Sequence, residues 1–153
     1  MIETDLFIPA PADLVYNVAR DIEKFPEFLP DVESVVVTER DGARVLSEWV
    51  GVVREFRRTI RWTEEDLWDD AAHTCSFRAI AGDWDRYEGV WSFASEGQGT
   101  RVRLQLDHDF NVPLIGALIR GVLRKLVTKN CERMLEGLRT RVAQLHPETQ
   151  TKE

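Results

Sequence analysis

Residues 100–110 read TRVRLQLDHDF and carry the clearest structural signal in the chain. Val102, Leu104, Leu106 and Phe110, which favour burial, fall on one face of this segment together with His108. Charged or polar side chains occupy the positions between them. This period of two is typical of a β-strand with one covered face and one solvated face. The sequence therefore predicts a strand here, with a further element packed over the face that contains Leu104.

The segment that follows can supply this cover. In residues 114–145 apolar side chains recur at helical spacing, which predicts a long amphipathic helix. Its predicted ridge consists of Leu114, Leu118, Val122, Leu126, Met134, Leu138 and Val142, flanked by Ile115, Ile119 and Leu123. We expect Leu118, Val122 and Leu126 to pack against the sheet.

Upstream, the pattern predicts a strand, a short helix and then a run of further strands. Residues 2–8 alternate in polarity and are followed by prolines, and helical spacing begins after Pro11. Between residues 32 and 110, hairpin signals occur at Asp41-Gly42, Gly82-Asp83 and Gly97-Gln98-Gly99. A strand meander followed by one long helix is the predicted order.

Length and charge limit the classes of function. A chain of 153 residues is the size of one domain, and we assign residues 1–146 to it and 147–153 to a frayed tail. The formal net charge of -7 argues against nonspecific nucleic-acid binding. No run approaches the ~20 apolar residues of a transmembrane helix, and residues 1–13 lack a basic leader segment. We therefore expect a cytoplasmic protein.

The two cysteines do not predict a disulfide framework or a metal site. Neither Cys75 nor Cys131 has a Cys or His at the short spacing of metal ligands, so buried thiols are predicted. Phosphate loops, nucleophile elbows and paired metal-binding histidines are also missing from the sequence. We expect no cofactor and no metal.

Residues 8–18 read IPAPADLVYNV, residues 21–28 read DIEKFPEF, and residues 89–93 read GVWSF ahead of a glycine turn and the strand at 100–110. Together these three segments resemble the START-like (SRPBCC) superfamily, in its polyketide cyclase/dehydrase and coenzyme-Q-binding branch. The resemblance implies an α+β helix-grip fold: a curved antiparallel sheet of about seven strands wrapped around a long C-terminal helix. It also implies a cavity for lipids, isoprenoid quinones or polyketides.

The concave face of that sheet supplies the candidate ligand-binding residues. They are Arg58, Trp62, Phe77, Tyr87, Trp91, Phe93, Leu104, Leu106 and His108, with Phe56, Ile60 and Phe110 on the same faces. An alternative interpretation is that these aromatic rings only fill the core beneath the helix.

Polar residues on the predicted covered faces are candidates for chemistry. Arg58 could bind a carbonyl or enolate oxygen, His108 could move a proton, and Tyr87 is a third polar group. A β-bulge that changes the parity, or a carboxylate partner, would explain them without a ligand. The resemblance implies one cavity arginine, and the choice among Arg57, Arg58 and Arg61 stays open, as does the identity of any catalytic residue.

Three functions fit these patterns. The first is binding or transport of an apolar small molecule, and the second is a polyketide cyclase/dehydrase that uses the same pocket. The tyrosine that similar aromatases place after the Phe-Pro-Glu segment is missing from residues 29–32, which favours binding. The third is docking of an acidic macromolecule or peripheral contact with a membrane through a basic helix face made of Arg120, Arg124, Lys125, Lys129 and Arg133.

Overall fold

The computed structural model describes residues 1–53, 55, 57–110 and 116–147, with side chains from residue 121 onward in the last of these stretches. The elements in chain order are β1 (Ile2–Ile8), α1 (Ala12–Arg20), a 3₁₀ helix (Ile22–Glu27), β2 (Val32–Asp41), β3 (Arg44–Val53), β4 (Arg58–Asp69), β5 (Thr74–Gly82), β6 (Arg86–Glu96), β7 (Gly99–Asp109) and α2 (Gly116–Leu145).

Within these residues the strands form one curved antiparallel sheet of seven strands, in the order β1-β7-β6-β5-β4-β3-β2. Strands β2 to β7 are a meander, and β1 joins its end by pairing with β7, with Ile2 opposite Leu106 and Ile8 opposite Thr100. Gly42 and Gly97 have positive φ angles in the turns where hairpins were predicted. The α+β helix-grip prediction is confirmed.

Strand β7 lies where the 100–110 pattern predicts it. Val102, Leu104 and Leu106 are buried, and the alternating charged side chains point away from them. Burial is complete at these three positions because β7 is flanked by β1 and β6 and faces the rest of the core.

Helix α2 covers the concave face, and its buried stripe shares Met134, Leu138 and Val142 with the predicted ridge but differs from it nearer the start of the helix. Buried positions are Leu123, Val127, Cys131, Met134, Leu135, Leu138 and Val142. Val122 is 41% exposed, so the prediction that it packs on the sheet is wrong. On a helix with 3.6 residues per turn, side chains spaced every four residues drift around the axis by about 40° per step. Alternating spacings of three and four residues keep the side chains on one face. Leu126 is half-buried, and the side chain of Leu118, like Leu114 and Ile115, lies outside the described residues.

The two cysteines are free and buried, as predicted. Burial raises the pKa of the Cys131 thiol to about 12 and that of Cys75 further, so both stay protonated at neutral pH. Among the described residues, no helix is long and apolar enough to cross a bilayer.

Candidate ligand-binding site

Two adjoining chambers lie between α2 and the concave face of the sheet. The outer chamber measures ≈ 70 Å³ and the inner one ≈ 30 Å³. Trp49, Tyr87 and Met134 line both chambers, so the two chambers adjoin at these side chains. Each volume exceeds the ~10–15 Å³ that one water molecule needs.

The outer chamber is walled by stacked aromatic rings. Trp49 and Trp62 stack with centroids 5.7 Å apart and planes 10° apart. Trp84 and Tyr87 form a second stacked pair, with centroids 4.8 Å apart and planes at 30°. Flat ring faces of this kind favour a planar apolar guest, because offset stacking adds to the energy of apolar burial.

A polar latch closes one side of the outer chamber. Asp31, in the loop before β2, accepts hydrogen bonds from Asn130 Nδ2 at 3.1 Å and from Arg133 Nη1 at 2.6 Å on α2. The carbonyl oxygen of Asp31 accepts a third bond from the backbone N–H of Val52 at 2.9 Å. These contacts tie β3, the loop and α2 together at the rim of the outer chamber. The sequence alone did not predict them.

The inner chamber contains two buried carboxyl groups. Glu64 is 5% exposed and Asp66 is 2% exposed. Both lie on the face of β4 that also carries Trp62 and Trp68. Trp62 Nε1 donates a hydrogen bond to Glu64 Oε1 at 3.1 Å. The apolar members of the wall are Ala19, Ile22, Phe25, Trp49, Trp68, Cys75, Phe77, Tyr87, Trp91, Leu104 and Met134.

Burial favours the protonated forms of this pair. Desolvation raises the pKa of Asp66 to about 6, and desolvation together with the neighbouring Asp66 raises the pKa of Glu64 well above its usual value. Loss of solvent also raises the pKa of Tyr87, which lines the same chamber. A side-chain hydrogen bond joins the two groups, and burial favours the form in which they share one proton.

Sequence reasoning missed both acids, although the signal was present. Strand β4 carries Ile60, Trp62, Glu64, Asp66 and Trp68 at alternate positions, so the parity that selects the tryptophans also selects the carboxyls. Because charged residues are rarely fully buried, Glu64 and Asp66 were not predicted to line the chamber.

Five of the nine predicted site residues line these chambers. Trp62 lines the outer chamber, Tyr87 lines both, and Phe77, Trp91 and Leu104 line the inner one. Phe93 and Leu106 are buried in the core beside the chambers. The predicted Phe56 lies outside the described residues.

Arg58 and His108 lie away from the walls of both chambers. The prediction that Arg58 is covered is wrong. Its side chain is exposed at the first position of β4, and its guanidinium lies 5.1 Å from the centre of the Phe110 ring. His108 is half-buried in a cleft beside Leu123 and Arg124. Desolvation, followed by the positive charge of Arg124, lowers the pKa of His108. A ligand role for either residue remains a prediction.

We expect Arg58→Met to change the free energy of unfolding by less than about 1 kcal/mol. An exposed cation–π contact contributes no more than that, and methionine keeps the aliphatic contact with Phe110. Urea unfolding of the two proteins measures the difference. A loss of several kcal/mol would mean that Arg58 neutralises a buried charge.

The predicted basic helix face is partly occupied by contacts within the chain. Arg124 Nη2 donates to the carbonyl oxygen of Met1 at 3.0 Å, and Arg133 is held by Asp31. Lys125 and Lys129 are exposed, and the side chain of Arg120 lies outside the described residues. Docking through this face stays a prediction.

Comparison with known proteins is consistent with this architecture. Residues 8–135 match the family described as polyketide cyclase/dehydrase and lipid transport. The chain belongs to this family. The matched range runs from the end of β1 into the second half of α2, so it includes the walls of both chambers.

Proteins similar to this chain carry different descriptions. A Thermus thermophilus protein, TTHA0849, is 42% identical with a TM-score of 0.90, covering 94% of this chain and 97% of its own. The Zhui aromatase/cyclase of a Streptomyces species is 20% identical with a TM-score of 0.84, covering 92% of each chain, which shows the shared fold. The ribosome association toxin RatA of Pseudomonas aeruginosa is 24% identical over 95% of this chain and 96% of its own.

Proposed function

We propose that this protein binds and carries a compact apolar small molecule in the two chambers beneath α2. The observation that carries the proposal is the aromatic wall of the outer chamber, where the rings of Trp49 and Trp62 stack beside those of Trp84 and Tyr87. The family's description, which includes lipid transport, supports the same assignment. Ligand pockets usually measure about 300–1,000 Å³. Chambers of ≈ 70 and ≈ 30 Å³ therefore favour a compact ligand over a long lipid chain, and a ring system enters only if the chambers widen.

Native mass spectrometry of the protein purified from its own cells tests this proposal. We expect a bound apolar molecule that is released on denaturation and identified by its mass and absorption. A protein that carries no such molecule, and that fails to bind naphthalene derivatives in calorimetric titrations, would contradict the proposal.

A blocking substitution tests the location of the site. Leu126 is half-buried and lines the outer chamber, whereas Val122 lies one turn earlier on α2 and is exposed. Leu126→Trp places an indole in the chamber and should weaken binding of a naphthalene derivative at least about tenfold, because the guest and the indole compete for one volume.

The matched control is Val122→Trp, which adds the same indole to the solvent side of the same helix. We expect it to bind like the unmodified protein. Equal losses in the two variants would place the ligand on the helix surface rather than in the chamber.

A second candidate function is a cyclase or dehydrase that uses the same chambers. The observation that favours it is the buried Glu64–Asp66 pair, because carboxyl groups with raised pKa values are suited to proton transfer at neutral pH. Recovering the ligand after incubation separates the two functions. A carrier returns it unchanged, whereas a dehydrase returns a product that has lost water.

A further inference from the structure

The polar interior of the inner chamber contains an unused hydrogen-bond acceptor. Asp66 Oδ1 is buried and accepts no hydrogen bond from an N–H or hydroxyl group of the described residues. A single proton shared with Glu64 can satisfy at most one of the two Asp66 oxygens, so an oxygen remains available to a donor. Trp62 Nε1 does not supply it, because that N–H is directed at Glu64.

The surroundings of the pair provide no compensating cation. The described residues that line the inner chamber include no lysine, arginine or histidine. An acceptor left unpaired in such surroundings costs free energy, which a donor brought by a guest would recover. The missing partner is therefore a hydrogen-bond donor, and a carbonyl group would not satisfy it.

From this geometry we propose that the Glu64–Asp66 pair is the polar recognition element of the site and accepts a hydrogen bond from the hydroxyl group of a planar aromatic ligand. The proposal rests on the proposed function, since it assumes that a guest enters the outer chamber. The rings of the guest stack against Trp49 and Trp62, and its hydroxyl group passes Tyr87 into the inner chamber.

Size and charge favour a hydroxyl group over an ammonium group. The inner chamber of ≈ 30 Å³ has room for a group about the size of one or two waters. A hydroxyl group gives up few hydrogen bonds to water when it enters. An ammonium group must lose its hydration shell, and the attraction to one shared carboxyl pair does not fully offset that penalty.

Three probes of similar shape distinguish these cases in the unmodified protein. Calorimetric titration at pH 7 with 2-naphthol, 2-methylnaphthalene and 2-naphthylmethylammonium compares a hydroxyl, a methyl and a cationic group. We expect 2-naphthol to bind at least about tenfold more tightly than 2-methylnaphthalene, the usual effect of a hydrogen bond to a charged acceptor. The ammonium probe should bind more weakly than 2-naphthol.

Substitution of Asp66 tests whether this residue produces the preference for 2-naphthol over 2-methylnaphthalene. Asp66→Leu replaces the carboxylate with an apolar group of similar size. In this variant 2-naphthol should bind no more tightly than 2-methylnaphthalene, while 2-methylnaphthalene should keep its affinity. The control is Glu65→Gln, on the opposite face of β4, where Glu65 pairs with Arg44 and Arg78 at the surface. That variant should retain the full preference for 2-naphthol.

Each remaining outcome contradicts a specific claim. If no probe binds, the proposed function fails together with this inference. If 2-naphthol and 2-methylnaphthalene bind equally to the unmodified protein, the site survives, and Asp66 is satisfied by a buried water instead. Tightest binding of the ammonium probe would replace the hydroxyl assignment with a cation site. These results need no variant, so they decide the proposal even if Asp66→Leu does not fold.

Discussion

Asp66→Asn is expected to make the protein more stable at pH 7, by up to about 3 kcal/mol, and to leave its stability unchanged near pH 4. The reason is that burial raises the pKa of Asp66 from 3.8 to about 6. Each unit of such a shift corresponds to about 1.4 kcal/mol between the two protonation states. Ionising this carboxyl therefore costs free energy in the folded protein that it does not cost in the unfolded chain.

The direction of the pH dependence follows from the same shift. Between about pH 4 and pH 6 the folded state holds a proton on Asp66 that the unfolded state has released. The stabilising effect of that proton is fully present below pH 3.8 and is lost as the pH rises through 6. Glu64 acts in the same direction, because its pKa is also raised.

Urea unfolding of both proteins at several pH values measures the effect. Glu65 and Asp70 have lowered pKa values and make the chain less stable in acid. They are common to both proteins, so the difference between the two curves isolates Asp66. A variant less stable than the unmodified protein at pH 7 would show that the Asp66 charge is compensated and would contradict the prediction.

Gly89→Ala is expected to destabilise the protein by about 3 kcal/mol or more. A Cβ atom on Gly89 would lie 2.0 Å from the carbonyl oxygen of Gln105 on β7 and 2.9 Å from Cζ of Phe77 on β5. The first contact is with backbone and cannot be relieved by a rotamer change, so β6 must shift within the sheet. Because Phe77 and Gly89 are direct partners across β5 and β6, the inner chamber should also be distorted.

The matched control is Gly121→Ala, since a Cβ atom there meets nothing within 4 Å. Gly121 lies in α2, where alanine is favoured over glycine by about 1 kcal/mol, so this variant should be more stable. Thermal and urea unfolding of both variants test the pair of predictions. Similar stabilities for the two alanine variants would mean that β6 can move without loss.

Several features of the site depend on tertiary packing and could not be predicted from local sequence patterns. The aromatic side chains of β4 and β6 were predicted from strand parity, and Trp62, Tyr87 and Trp91 do line the chambers. The same parity marked Arg58, but that position is exposed, and alternate burial along β4 begins only at Ile60. Likewise, the Asp31 latch joins residues about a hundred positions apart, which a single sequence does not relate.

By itself the sequence determined the order of the elements, the covered face of β7 and the presence of a long terminal helix, because these follow from side-chain periods of two and of about 3.6 residues. Only the tertiary structure decided which face of α2 meets the sheet, as the exposure of Val122 shows. It also decided that Glu64 and Asp66 lie together inside an aromatic chamber. The pKa of a carboxyl depends on every group that removes it from water, and those groups come from α1, the 3₁₀ helix, α2 and five strands.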